Sequence, residues 1–451
     1  MTAAATTALP LLGRGDVPAP PVRIVHLGLG AFHRSHQAWF TAHAPDAAEW
    51  GIASFTGRRP DAALTLAAQE GVYTLVERGP DGDRFEVVRS IAEAVDGADT
   101  ARLEELLAAP GTAIVTLTVT EAVYEKDDDD SPLARLCRGL ARRRAEGGGP
   151  LAVVSCDNVA DNGAVARDAV VRLAERLDAD GASGAAAGEP GLAEWVRENV
   201  SFVGTSVDRI TPRTTDDDVA EVAAKCGYRD AAPVVAEPFA NWILAGEFPA
   251  GRPRWEDAGA QFVEEIEPFE NRKLWLLNGA HSLLAYAGQL RGHATVAEAL
   301  ADPECRSAVE AFWDEAARHL TLPELDVSAY RAALLERFAN PRIAHYLAQI
   351  AADGTTKLRM RAVPVLAAER AAGRAGVAAA RMIAAWMDFV SVAAGSGRAF
   401  QDPLREKVLA AVELEGRERT RALLALVSPE LAGEESVVER VDALRGSVAA
   451  P

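Results

Sequence analysis

The stretch Pro268 to Ser282 carries Glu270, Lys273, Asn278 and His281 within a dozen residues. A carboxylate, an amine, an amide and an imidazole are a proton base, an anion stabiliser, a hydrogen-bond donor and a proton relay when they converge. Apolar residues recur here at intervals of three and four, which predicts an α-helix. At ~100° per residue, with Lys273 at zero, Leu277 falls near ~40°, Glu270 near ~60°, His281 near ~80° and Asn278 near ~140°. The four polar groups then share one helix face. The chain has 47 basic residues, of which only Lys126, Lys225, Lys273, Lys357 and Lys407 are lysines. An Arg-rich chain that sets a Lys among apolar residues gains a group able to lose its proton when desolvated, which arginine cannot do. The same spacing also fits a surface Lys–Glu pair three residues apart with a capping histidine.

Other elements must supply whatever that helix acts upon. Val22 to Leu27 is an apolar run of the kind found in buried parallel strands. Gly28-Leu29-Gly30 follows at once, and Ala38 to Ala44 reads as a helix. A strand, a Gly-rich turn and a helix N-terminus form a phosphate cradle. His33 stands where the third glycine of the usual fingerprint would be. His33-x-x-His36 has a metal-pair spacing, but no third ligand cluster accompanies it. Trp50 to Thr56 predicts the second strand, at whose end an acid for the ribose hydroxyl or an Arg for a 2′-phosphate sets nucleotide choice. Thr56-Gly57-Arg58-Arg59-Pro60-Asp61 offers both, with Arg58 and Arg59 compatible with NADP.

Val72–Val76 and Phe85–Val88 predict a strand pair joined by a Gly-Pro-Asp-Gly turn. Ala113 to Thr120 predicts a buried strand rich in β-branched residues, with Thr118 at its C-terminal end, where open α/β sheets bind ligands. Leu151–Val154 predicts the next strand, with Asn158 just beyond it, either in the site or capping the following helix. Asp127 to Asp130 reads as a solvated acidic loop and Asp178 to Gly191 as a flexible one. From about residue 290 helical periodicity dominates: Val296–Leu300, Ser307–His319, Val327–Phe338, Ile343–Ala352, Val377–Val392, Leu404–Leu426 and Ser436–Leu444. Asp353 to Lys357 falls between two of these as a Gly-containing loop.

Composition narrows the class. A net charge of -19 over 451 residues disfavours a nucleic-acid partner. No apolar run nears the ~20 residues that span a bilayer, so a membrane partner is not expected. Residues 1 to 20 read as a loose tail without a signal-peptide core. Cys137, Cys156, Cys226 and Cys305 are scattered, which fits a reducing cytoplasm and disfavours structural zinc.

Lys273-x4-Asn278-x2-His281 resembles the catalytic signature of the mannitol dehydrogenase family, the long-chain polyol-specific dehydrogenases. Ile24 to Arg34 resembles that family's cofactor loop. Val154–Asn158, Val207–Pro212, Glu237-Pro238-Phe239 and Arg337–Pro341 resemble later blocks, in family order. The segment at Thr120-Glu121-Ala122-Val123-Tyr124 departs from the family's usual turn and is followed by a short connection. The resemblance implies an α/β N-terminal Rossmann-type dinucleotide-binding domain followed by a mainly α-helical C-terminal domain. The expected division is a flexible tail at 1–20, the Rossmann-type domain at 21–200 and the helical substrate and catalytic domain at 201–451.

The activity implied is NAD-dependent, metal-independent hydride transfer between a secondary alcohol of a polyol and the corresponding ketose, of the mannitol/fructose type. Lys273 would be the general base, its ordinary pKa of ~10.4 lowered by its surroundings. Asn278 and Asn158 would hold the alkoxide, His281 would orient the hydroxyl, and Glu270 would relay the proton. The resemblance places Gly28, Gly30, Phe32, His33, Arg34, Asp61 and Thr118 at the cofactor, with Asp61 favouring NAD over NADP. It places Asp208, Arg337, His345 and Lys357 at the substrate; packing roles fit Arg337 and His345 equally, and a structural Asp208–Arg209 pair fits Asp208. Hexuronate reduction (fructuronate or tagaturonate), mannitol-1-phosphate 5-dehydrogenase and arabinitol dehydrogenase activities remain open within the class. A nucleotide-sensing protein without turnover, and a metal-dependent lyase or isomerase, are readings from other classes. A monomer or weak oligomer is expected.

Overall fold

Strand β1 (Val22–Leu27) sends alternate side chains to opposite faces. Ile24 joins a core with Ile52, Ile114, Ala152 and Val154, while Val25 and Leu27 join a second core with Phe55, Val115, Leu117 and Val153. Burial on both faces is why these strands are almost wholly apolar. The computed structural model describes residues 9–57, 59–126, 128–181, 191–343 and 345–448. Arg58, Asp127 and most of the low-complexity stretch at 178–191 lie outside the described residues.

The other strands are β2 (Gly51–Phe55), β3 (Tyr73–Gly79), β4 (Gly82–Val88), β5 (Ile91–Val95), β6 (Ile114–Leu117), β7 (Leu151–Ser155), β8 (Val200–Asp208), β9 (Val234–Ala236), β10 (Asn241–Ala245) and β11 (Gln261–Phe262). The main sheet runs β5-β2-β1-β6-β7-β8-β10-β11. It is parallel from β5 to β8, and β10 turns antiparallel against β8. A side sheet, β4-β3-β9, contains the expected strand pair in antiparallel register. The strand order reverses between β1 and β6, so the ends of these two strands flank the switch point at which doubly wound sheets bind ligands.

Two expectations about domain limits are corrected. The chain divides after Glu267, not after residue 200, into units Met1–Glu267 and Pro268–Pro451. A cut at 200 would sever β8 from β7, to which it is paired residue by residue. The three strands after it span only two to five residues each, too short for periodicity to reveal. The N-terminal tail is docked from residue 9, the first described residue, onward, with the Leu9 and Pro10 carbonyls accepting from Arg229. Leu12 and Arg14 are buried, Leu12 N donates to the Arg229 carbonyl at 2.8 Å, and Arg14 donates to the carbonyls of Glu70, Arg89 and Ile91. Those acceptors are backbone atoms distant in sequence, so composition could not show them.

The second unit is helical. Leu404–Leu426 divides into Arg405–Val412 and Gly416–Val427, and Ile343–Ala352 contributes a single turn, Leu347–Ile350. The helix Val377–Ser396 is long and apolar enough to cross a membrane, contrary to the expectation that no run reaches that length. It is the core of this unit: Ala378 through Ala380 and Met382 through Met387 are all buried. Its N-terminus is capped by the buried Glu315 carboxylate, which accepts from Ala378 N at 3.0 Å and Ala379 N at 2.9 Å.

Candidate active site

The helix carrying Lys273 is not uniform. Residues Glu267–Arg272 are α-helical, Lys273–Gly279 form a π-helix, and Ala280–Leu290 resume the α-helix. In a π-helix the backbone bond spans five residues, not four. Lys273 and Asn278 are five apart, so the wider turn brings them closer to one face of the helix. Uniform α geometry would hold them ~140° apart. The angular map drawn from the sequence is therefore corrected, and the correction tightens the pairing. Neighbouring helices hold the widened turn: Trp313 Nε1 donates to the Leu276 carbonyl at 2.8 Å, and Arg361 Nη1 to the Asn278 carbonyl at 3.1 Å. A β-carbon on Gly279 would meet Phe312 at 2.5 Å, so the end of the π-helix is packed against that ring.

One α-turn beyond lies His281, buried, with Nε2 unpartnered among the described residues. Its ring sits 4.7 Å from that of Phe338 and 4.7 Å, edge-on, from that of His345. Burial, and then His345, Arg337, Arg361 and Lys357, hold its pKa well below the ordinary imidazole value. A neutral, buried imidazole with one free nitrogen is suited to a hydrogen bond with a hydroxyl. Lys273, Asn278 and Glu270 are half-buried on the same element.

Lys357 is on a helix, not in a loop. Asp353 adopts φ 57 and starts the helix Gly354–Arg361, with Thr355 N and Oγ1 both bonded to Asp402. Lys357 Nζ donates to the Ile350 carbonyl at 3.0 Å. Arg361, four residues on, was not foreseen as a site residue. Its Nη1 also reaches Ser282 Oγ at 2.9 Å. Only the fold shows this, since nothing in Lys357-x3-Arg361 separates it from a surface pair.

In the first unit a cleft opens at the switch point, lined by Gly28, Leu29, Thr56, Gly57, Gly97 and Thr118 among others. Gly28 has φ +116, and a β-carbon there would lie 2.1 Å from the Thr118 carbonyl oxygen, so only glycine fits. Thr118 Oγ1 donates to the Gly28 carbonyl at 2.9 Å and ties the two strand ends together. The next helix, Ala31–Ser35, starts immediately after Gly30, which caps it without a side chain. Its first-turn N–H groups are thus left for an anionic group. A glycine-bounded cleft beside an uncapped helix start fits a dinucleotide pyrophosphate.

The loop's side chains turn inward. His33 is buried, stacks on His26 at 3.4 Å and bonds Ser54 Oγ through Nε2 at 2.9 Å. This packing explains a histidine where a glycine is usual. Phe32 stacks on His36, whose Nε2 meets the Asn241 carbonyl at 2.9 Å. Arg34 donates to the carbonyls of Gly30 and Ala232. His33 and His36 thus bond separate partners.

Asp61 is exposed at the start of the helix Asp61–Ala67, 3.6 Å from Arg59 Nε. Asn158 is exposed beyond β7 and does not cap the next helix, whose cap position is Asp161. Asp208 is buried at the end of β8, and Arg209 pairs with Glu77 at 2.8 Å. After β6 the chain turns into the one-turn helix Glu121–Tyr124. The Tyr124 hydroxyl donates to Asp157 at 2.6 Å, and Asp157 also accepts from Val119 N and Thr120 N. The departure in this segment is thus locked to the end of β7.

Residues 22–257 match the mannitol dehydrogenase Rossmann domain, and residues 265–446 match the mannitol dehydrogenase C-terminal domain. The D-mannonate oxidoreductase of Escherichia coli is 37% identical over 439 residues, covering 90% of this chain and 88% of that one. The D-arabinitol 4-dehydrogenase of Ralstonia nicotianae is 36% identical over 472 residues, covering 97% and 98%. Among solved structures, the Pseudomonas fluorescens mannitol 2-dehydrogenase in ternary complex with NAD and D-mannitol superposes with a TM-score of 0.76 at 31% identity, covering 98% of this chain and 94% of that one. A parallel switch-point sheet followed by a helical unit bearing Lys273, Asn278 and His281, matched by both family domains, places the chain in the mannitol dehydrogenase family of oxidoreductases acting on CH–OH groups.

Proposed function

We propose that this protein interconverts a secondary alcohol of an acyclic polyol or sugar acid with the corresponding ketone, using NAD. The π-helical turn that brings Lys273 and Asn278 toward one face, followed by the buried His281, carries this reading. A bound nicotinamide cofactor takes up or delivers the hydride. Gly28, Gly30 and Thr118 shape the cleft that would hold its pyrophosphate, and Asp61 would bind the ribose hydroxyls, favouring NAD over NADP. Lys273 takes the hydroxyl proton in oxidation and returns it in reduction. Asn278 donates to the oxygen as charge develops on it. His281 Nε2, buried and unpartnered, orients the same hydroxyl. Glu270, three residues before Lys273, carries the proton onward. The role of Asn158 as a second amide, and of Asp208 at the substrate, rests on the family resemblance.

The similar proteins act by name on mannonate, arabinitol and mannitol, so the class is polyol or sugar acid, with the mannitol/fructose pair one member of it. The test is an absorbance assay of NADH formation and consumption on the wild type and Lys273→Ala. Mannitol, arabinitol and mannonate serve for oxidation, and fructose and fructuronate for reduction. Turnover lost in Lys273→Ala with NADH binding intact is the expected result. Unchanged turnover removes Lys273 as the base, and cofactor binding with no turnover by the wild type favours a nucleotide sensor.

A further inference from the structure

The helix Gly354–Arg361 sets Lys357 and Arg361 four residues apart, with both heads on one face. Like charges at that spacing oppose each other, and both side chains are half-buried. Neither has an ion pair among the described residues. Lys357 gives its Nζ to one carbonyl, and Arg361 gives its Nη1 to a carbonyl and a hydroxyl. Arg361 Nε is buried without a hydrogen bond among the described residues, a state that Arg89 Nε shares. Arg143, also buried without an acid, differs on this point: its Nε and Nη1 meet the carbonyls of Gly149, Leu107 and Ala109.

The surroundings add positive charge without offsetting it. Arg337 acts on both His281 and His345. The acid that acts on Lys357 is Asp353, exposed at the start of the same helix, and Asp402 is committed to Thr355. Burial pushes the Arg361 guanidinium down to about 10, and burial with Arg361 lowers Lys357. A partly desolvated pair of cations without a counter-ion is costly until an anion joins it.

We infer that Lys357 and Arg361 form a carboxylate-binding face, so that this site prefers a sugar acid over the neutral polyol of the same chain length. This rests on the reading of the helical unit as the substrate site. The carboxylate is a handle and does not react. Oxidation breaks a secondary C–H bond, the hydride passing to NAD and the hydroxyl proton to Lys273, which leaves a keto acid and NADH. A phosphate end would share the charge. However, the Asp402 carboxylate occupies the helix N-terminus, where a phosphate is ordinarily received. A planar monoanion suits a lysine beside one guanidinium edge.

The test is calorimetric titration of D-mannonate, D-mannitol and mannitol 1-phosphate onto the NADH-saturated protein. Mannonate and mannitol differ only by a carboxylate in place of a CH2OH group. The wild type should bind mannonate about tenfold or more tightly than mannitol. Lys357→Gln should remove most of that margin while changing mannitol affinity less than about threefold, and Arg361→Lys should retain more of it than Arg361→Gln. NADH affinity and melting temperature establish that each variant is folded, and the half-buried Lys357 carries the test if Arg361 variants unfold. Equal affinity for the matched pair overturns the inference. So does tightest binding of the phosphate, or a Lys357→Gln protein in which mannonate and mannitol weaken alike. Acid-selective binding that depends on Lys357, with no turnover of any of the three, sinks the oxidoreductase reading and supports the carboxylate face.

Discussion

The histidines of the two units make opposite use of the same side chain. In the Rossmann-type unit each ring has a protein partner: His26 bonds Thr116 and Thr118, His33 bonds Ser54, His36 bonds a carbonyl, and His43 meets Glu86. In the helical unit His293 and His319 are likewise tied, to Asp302 and Glu369. His281 and His345 face each other, and neither ring has a hydrogen bond to protein among the described residues. The cations follow the same division. Arg209 is spent on Glu77, Ser35 and Glu237, whereas Lys357 and Arg361 form no ion pair among the described residues. Buried atoms without a hydrogen bond occur in the first unit too, at His33 Nδ1 and Gln37, so His281 is set apart by the cations around it, Arg337, Arg361 and Lys357.

The comparison breaks most visibly at Lys273. Replacing it with Ala should lower turnover by about 100- to 10,000-fold, with NADH affinity and melting temperature nearly unchanged; a large fall in melting temperature would make it a scaffold group. Asn278→Ala should cost on the order of 100-fold in kcat and less in KM, as expected for a donor that acts as charge develops. Gly28→Ala forces a β-carbon against the Thr118 carbonyl at positive φ. Cofactor affinity should fall by tenfold or more by fluorescence titration, with stability reduced by about 1–3 kcal/mol.

His36→Ala is the mirror of Lys273→Ala. It strands the Asn241 carbonyl and empties a site beside Trp242 and Phe40. It should lower stability by about 1–3 kcal/mol in urea unfolding while kcat changes less than threefold. The last expected effect concerns pH. Burial holds His26 down to about 3 and places His33 and His281 well below the ordinary value. These rings stay neutral in the folded protein, while an unfolded histidine takes up a proton below about pH 6.5. The unfolded state then binds more protons, so stability is lost as pH falls from about 6.5 towards 3. The unfolding free energy from urea titration should drop between pH 7 and pH 5, by up to about 1.4 kcal/mol per pH unit below about 6.5 for each such histidine. His26→Gln should flatten that slope, and an unchanged slope would place the acid sensitivity elsewhere.

The chain alone determined what local order controls. β1, its glycine turn and the strands that follow were legible because apolar runs and a Gly-x-Gly turn are properties of adjacent residues. Val327–Phe338 was legible to the residue because its helical period is uninterrupted. That Lys273, Asn278 and His281 lie on one helical element was legible from residue type and spacing. Tertiary structure decided the rest. The π-turn depends on Trp313 and Arg361 satisfying carbonyls from other helices, so no period in the sequence announces it. Arg361 and Lys357 stand out because, among the described residues, no acid forms an ion pair with them, and which groups pair is a property of packing. The docked tail and the division at Glu267 likewise rest on backbone hydrogen bonds between residues far apart in sequence, which side-chain pattern does not encode.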